Sequence, residues 1–279
     1  MWLPAGSWPL LLDFLSQRFP GIDRDTWRLR MQQGKVSDAF GHALSETTPY
    51  TAGCHLHYYR ELPRETLIPH GARILYRDDH LLVADKPHFL PTMPAGRFLQ
   101  QSLLVWLRLE TGLQQLAPLH RLDRETAGLV LFSVDADTRA AYSELFATRR
   151  ILKVYEALAP SRQGIEFPLL RRSRIVRGEP FFRMREIEGP ANADTAIDRV
   201  EGLGDISRYR LQPGSGKKHQ LRVHMAALGL PILNDRWYPQ LLESDDDDIA
   251  RPLKLLARRL AFIDPVSGQA REFESLQSL

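Results

Sequence analysis

The sequence holds a single cysteine, Cys54, among 279 residues, so no disulfide can form within the chain. That fits a reducing compartment. No apolar run approaches the roughly 18 residues that a membrane-spanning helix needs. The first residues, Met1-Trp2-Leu3-Pro4, are apolar but follow no basic stretch, and Asp13 interrupts what comes after, so no secretory leader is expected. We therefore expect a cytoplasmic protein. Glycine loops that cradle phosphates are missing, since neither G-x-x-x-x-G-K-[ST] nor G-x-G-x-x-G occurs. Metal-ligand spacings are scarce too. His55-x-His57 and the pair His219 and His224 lack cysteine or carboxylate companions, so no metal is expected.

What is present is ordinary for a folded protein. Hydrophobic residues make up 43% and charged residues 25%, which excludes disorder over most of the chain. The net charge is +3 and the isoelectric point about 9.1, a mild basic excess compatible with RNA but not specific to it. Asp245-Asp246-Asp247-Asp248 gathers negative charge in one place, leaving the rest more basic and predicting a loop away from any phosphate backbone.

Pro63, Pro69 and Gly71 punctuate two differently patterned segments. We expect a small N-terminal domain over 1–62, a linker over 63–71 and a larger domain over 72–279. In the first, helices are predicted over 8–17 and 25–33, the second closed by Gly34, with a strand over 54–59. Arg24, Arg28, Arg30 and Lys35 lie on or near the second helix. The spacing Trp27-x-x-x-Met31-x-x-Gly34-x-Val36 is similar to the small RNA-binding module named after ribosomal protein S-four. That implies a small α/β RNA-binding-like domain; the alternative is a helical extension packed on the main domain. In the larger part, hairpins are predicted over 73–86 and 260–273, helices over 102–111, 138–148 and 219–228, and strands over 129–133, 151–158 and 208–211.

Chemistry concentrates in His120-Arg121-Leu122-Asp123-Arg124-Glu125-Thr126-Ala127-Gly128, just before an apolar run ending at Phe132. Asp123 stands among cationic side chains, which favour its charged form. It is expected to be ionised and ready to act as nucleophile or base. Composition alone would suit an ion-pair patch capping a sheet. Further segments change that: Asp78-Asp79-His80-Leu81-Leu82-Val83-Ala84-Asp85-Lys86-Pro87, then Lys153-Val154-Tyr155-Glu156-Ala157, then Gly216-Lys217-Lys218-His219-Gln220-Leu221-Arg222-Val223-His224-Met225 with Gly229-Leu230-Pro231-Ile232-Leu233-Asn234-Asp235. Leu260-x-Phe262-x-Asp264-Pro265 follows. In this order, across roughly residues 74–238, they closely resemble the RluA-type pseudouridine synthases, which isomerise uridine in RNA. Ala127 departs from the family's usual serine, and Lys217 from its usual arginine.

The resemblance implies an α+β catalytic domain on a mixed, largely antiparallel sheet with a cleft across its middle. Its substrate would be a uridine in structured ribosomal or transfer RNA. The reaction breaks the sugar-to-nitrogen bond, turns the base and rejoins it through carbon five. It involves no redox change and no outside group, so no cofactor is expected. By the same resemblance Asp123 is the catalytic carboxylate and Arg222 its partner, in a pair that can be bidentate. Tyr155 would stack on the target base, with a hydroxyl able to move a proton. Leu221 would floor the uracil. Arg121, two residues before Asp123 and on the same side if the segment is a strand, would fill the space that a flipped base vacates. Lys217 would contact phosphate as a point charge. Two alternatives stand beside this reading. One is a non-catalytic RNA-binding protein on the same fold. The other is a glycosidase pairing Asp123 with a second acid such as Glu125.

Overall fold

The computed structural model describes residues 1–58, 65, 68, 71–96, 98–242 and 248–279, and the chain divides into two units, Met1–Pro63 and Arg64–Leu279. Most of the expected linker lies outside the described residues, as does the acidic run apart from Asp248.

In the first unit, apolar spacing produces two short helices, α1 (Leu11–Arg18) and α2 (Arg24–Gln32). Asp23 caps α2 by accepting from the Thr26 amide at 2.7 Å. Strands β1 (Val36–Asp38) and β2 (Leu56–Tyr58) pair antiparallel. Leu11, Leu15, Trp27, Met31, Val36 and Leu56 form the buried centre. The cations expected to face RNA have partners within the unit. Arg24 meets Asp13 at 2.7 Å, Arg28 meets Asp25 and Glu46, and Lys35 donates to Gln33 Oε1. Arg30 is buried against the Trp27 ring.

The second unit is built on one sheet. Its elements in chain order are β3 (Arg73–Arg77), β4 (Leu81–Lys86), α3 (Leu103–Thr111), β5 (Ala117–Pro118), β6 (Ala127–Ser133), α4 (Arg139–Ala147), β7 (Ile151–Pro160), β8 (Leu169–Arg177), β9 (Met184–Ile187), β10 (Ala193–Leu203), β11 (Ile206–Pro213), α5 (Gln220–Ala227), β12 (Leu255–Ile263) and β13 (Ala270–Glu274). The strand order is β3-β4-β6-β12-β7-β11-β10-β8-β9, with β5 on β6 and β13 on β12. Pairing is antiparallel except between β6 and β12, giving the mixed, largely antiparallel α+β fold that the sequence implied. Strands β4 and β6 are buried along their whole length, as suits the apolar runs Leu81–Ala84 and Ala127–Phe132 within them.

Gly128 explains itself at the parallel crossing. Its φ is +111°, and a Cβ there would sit 2.3 Å from the Ala257 carbonyl oxygen. Only glycine lets β12 approach β6 so closely. The hairpins and helices expected from the sequence all form; strands β1, β5, β8, β9 and β10 had not been expected. Helix α5 packs on the face of the sheet that carries Thr195, Ile197 and Leu211, and its N-terminal end opens onto the cleft.

Candidate active site

Asp123 lies between β5 and β6, in a loop rather than a strand. The reason is Thr92. Its hydroxyl accepts from the Leu122 amide at 3.2 Å and donates to the Leu122 carbonyl at 3.1 Å, taking both groups a strand would need for its ladder. The Thr126 amide then closes a turn onto the Asp123 carbonyl at 3.1 Å. Beneath the loop, the fully buried Lys86 ammonium donates to the carbonyls of Pro87, Leu90 and Arg124 at 2.9, 2.8 and 3.1 Å. Burial lowers its pKa to about 7. Arg121 is exposed beside the cleft, so its position follows from the loop and not from strand alternation.

The facing wall comes from β7, β12 and the start of α5. Gln220 fixes the loop before the helix. Its Oε1 accepts from the Lys217 amide at 3.0 Å and the Ser215 hydroxyl at 2.7 Å, and its Nε2 donates to Asp194 O and Thr195 Oγ1 at 2.8 and 2.9 Å. His219 precedes α5 with φ +55°, a left-handed turn that presents its ring to the interior. The buried Tyr238 hydroxyl accepts from the Met184 amide at 2.7 Å and lies 2.8 Å from His219 Nδ1. With one lone pair taken by that amide, the phenol proton is assigned to Nδ1, which puts the ring proton on Nε2. That Nε2 faces Asp123 Oδ1 at 3.8 Å.

Together these walls enclose a cleft of about 260 Å³ that includes Arg121, Asp123, Lys153, Tyr155, Lys217 and Arg222 in its lining. Asp123 is the only carboxylate among its described lining residues, against five lysines and arginines once Lys218 is included. Leu221 is buried, lines the cleft and packs into a cluster with Ala157, Ile197 and Leu211. Lys153 donates to the Ser215 carbonyl at 3.0 Å. Glu125 does not line the cleft, so the two flanking carboxyls that a glycosidase uses are not assembled there.

Arg222 faces Asp123 as expected, but the bidentate geometry goes to Asp235. Its fork is bidentate to Asp235, Nε to Oδ2 at 2.8 Å and Nη2 to Oδ1 at 2.6 Å. Only Nη1 turns to the cleft, 3.8 Å from Asp123 Oδ2 and 3.6 Å from Glu125 Oε2, and it makes no hydrogen bond. The guanidinium also lies over the rings of Trp237 and Tyr238, at 4.8 and 5.3 Å. Asp235 in turn accepts the amides of Trp237 and Tyr238.

Electrostatics differ from a simple count of charges. Burial pushes the Asp123 carboxyl above its ordinary range, and the opposing pull of Arg222, Arg121, Lys218 and Lys86 does not fully offset it. The cationic surroundings therefore do not act alone on this carboxyl: the loop's desolvation is the larger effect. Tyr155 is raised by burial and then by Asp123, so its phenol stays protonated. His219 is pushed down to about 3 by burial, with Arg222 and Lys218 adding to it, and is neutral. Burial opposes the charge of Arg222, but Asp235 more than restores it.

Asp123, Tyr155, Arg222, Arg121, Leu221 and Lys217 thus surround one cleft. Asp235, His219, Gln220 and Thr92 had been given no role. His219, Gln220 and Asp235 lie inside the quoted motifs, so the signal was present in the segments though not in any spacing.

The family of RNA pseudouridylate synthases matches residues 80–227, more than half of the chain. The dual-specificity RNA pseudouridine synthase RluA of Vibrio vulnificus is 34% identical over 215 residues, 71% of this chain and 80% of that protein. Its namesake from Escherichia coli is 32% identical over 219 residues, 72% of this chain and 91% of that protein. Among solved structures, human RNA pseudouridylate synthase domain containing 1 superimposes with a TM-score of 0.60 at 26% identity, covering 74% of this chain and 84% of that one.

Proposed function

Because the chain belongs to the RNA pseudouridylate synthase family, we propose that its cleft receives one uridine of a ribosomal or transfer RNA and that Asp123 is the carboxylate that isomerises it. As a member of that family the protein is an isomerase acting on RNA. One observation carries the residue assignment: among the described lining residues a single carboxylate, Asp123, shares the cleft with five lysines and arginines, the Tyr155 ring and Leu221. The cations suit phosphates on either side of the base, and the ring suits the base itself. Arg222 Nη1 and His219 Nε2 face separate oxygens of Asp123. They are placed to orient the carboxylate or to hold the freed uracil. Arg121, exposed beside the cleft, is placed to fill the gap left by a flipped base. Lys217 is placed to meet a phosphate.

That the substrate is RNA is supported by the RluA relatives, which are named dual-specificity RNA pseudouridine synthases. The test is carbodiimide mapping of pseudouridine across cellular RNA, comparing wild type, a gene deletion and Asp123→Asn. A reverse-transcription stop lost in both altered strains identifies the activity and its target together. No change at any well-covered position would favour the alternative, a non-catalytic RNA-binding protein on this fold.

A further inference from the structure

We propose that Phe181, at the tip of the β8–β9 hairpin, is a stacking platform for an RNA base that flanks the target uridine. It rests on the reading that the cleft receives that uridine. Phe181 is 76% exposed, although its neighbours in the turn are tied down. The Gly178 amide bonds to the Arg183 carbonyl at 2.9 Å, and the Arg183 amide to the Pro180 carbonyl at 2.8 Å. The Arg183 side chain lies over the Tyr238 ring and donates to the Pro239 carbonyl at 2.8 Å. The turn is therefore held in place, and the exposed ring is presented rather than loose.

The same turn is continuous with the catalytic cleft. Lys218, a cleft residue, donates to the Phe182 carbonyl at 2.8 Å. An aromatic series runs outward from the site: His219 to Trp237 at 5.0 Å, Trp237 to Phe182 at 5.1 Å, and Phe182 to Phe181 at 5.7 Å between ring centres. The inner members are buried or half-buried, and the last is open to solvent. Arg177, the last residue of β8 before the turn, lies within electrostatic reach of Lys218; Glu179 is the turn's one carboxylate. An exposed aromatic face beside cations is what an unstacked base and its phosphate require, and it is tolerant of base identity. Phe181 is separated from Asp123 by the whole series, so its base is a neighbour of the target and not the target itself.

The test uses the full chain and RNA from a strain lacking the gene, tritiated at uridine carbon five, because rejoining the base there releases that hydrogen. For Phe181→Ala we expect KM to rise about tenfold, within the span that loss of one base stack gives, with kcat within about twofold. Phe181→Tyr should restore KM and Phe181→Leu should not. In a second arm, Phe181→Trp is titrated with single-stranded oligouridylate, and its added fluorescence should be quenched as RNA binds. Unchanged KM in Phe181→Ala, or rescue by leucine as good as by tyrosine, would overturn the platform. So would an added tryptophan signal indifferent to oligouridylate. Tritium release that survives Asp123→Asn would instead overturn the catalytic assignment, leaving the Phe181 comparison readable on its own.

Discussion

Replacing Asp235 with asparagine isolates the charge that holds Arg222. The side chain keeps its shape, and Oδ1 can still accept the Trp237 and Tyr238 amides, now at 2.9 and 3.1 Å. What disappears is the anion in a bidentate pair whose two side chains are almost wholly buried. The guanidinium is then left with Asp123 and Glu125 at 3.8 and 3.6 Å, too far for hydrogen bonds. Removing one partner of a buried ion pair destabilises by about 3–5 kcal/mol. For a unit of this size each kcal/mol lowers Tm by about 2–4 °C, so a drop of about 6–20 °C is expected. Thermal unfolding followed by circular dichroism reads it directly. Asp123→Asn is the matched control, since it removes a nearby carboxylate that burial disfavours and should lower Tm little or not at all. A fall below about 3 °C for Asp235→Asn, or an equal fall in both variants, would refute the claim that Asp235 and not Asp123 anchors the arginine.

Asp123→Asn should abolish tritium release, and its stability should carry a pH signature. The folded-state pKa of Asp123 is raised above its ordinary 3.8. The folded protein therefore holds the proton more tightly, and the wild type loses stability as pH climbs from that value through the raised one. Denaturant melts should show the variant gaining on the wild type over that window, with no gain in stronger acid; a gain that grows as pH falls would contradict the sign. Gly128→Ala should destabilise by about 3 kcal/mol or more, combining a strained φ with a backbone clash, and would show as insoluble or early-melting protein. Tyr238→Phe should release the His219 tautomer. Nitrogen NMR of labelled histidine should find Nε2–H in the wild type and a mixture in the variant; Nδ1–H in the wild type would contradict the hydrogen-bond assignment.

Much of the fold was legible wherever burial follows directly from residue type. The run from Ala127 to Ser133 is apolar enough to demand a two-sided covering, and it forms the buried β6. Helix α4 followed from the apolar spacing of Tyr142, Leu145 and Phe146, and α3, expected over 102–111, begins where Ser102 caps it. Strands β8 and β9 were hidden because arginines hold most of their outward positions and Ile175 is the one fully buried residue on either strand. The motifs brought the right side chains to one cleft, but three details depended on partners distant in sequence. Thr92 bends the Asp123 segment out of strand geometry. Asp235 competes for the arginine fork from beyond the end of α5. Desolvation of Asp123 depends on walls contributed by several elements, whereas a sequence shows only its charged neighbours.

Strand β12 ties the two halves of the cleft together. In the sheet it lies between β6 and β7, which do not pair with each other. Asp123 and Thr126 come from the β6 side, Tyr155 from β7, and Leu221 and Arg222 from the helix packed on β7's side of the sheet. A chain cut before Leu255 carries every one of these residues but lacks the strand that pairs with both β6 and β7. A chain cut before Leu255 should therefore release no tritium from RNA, whereas one that includes β12 should.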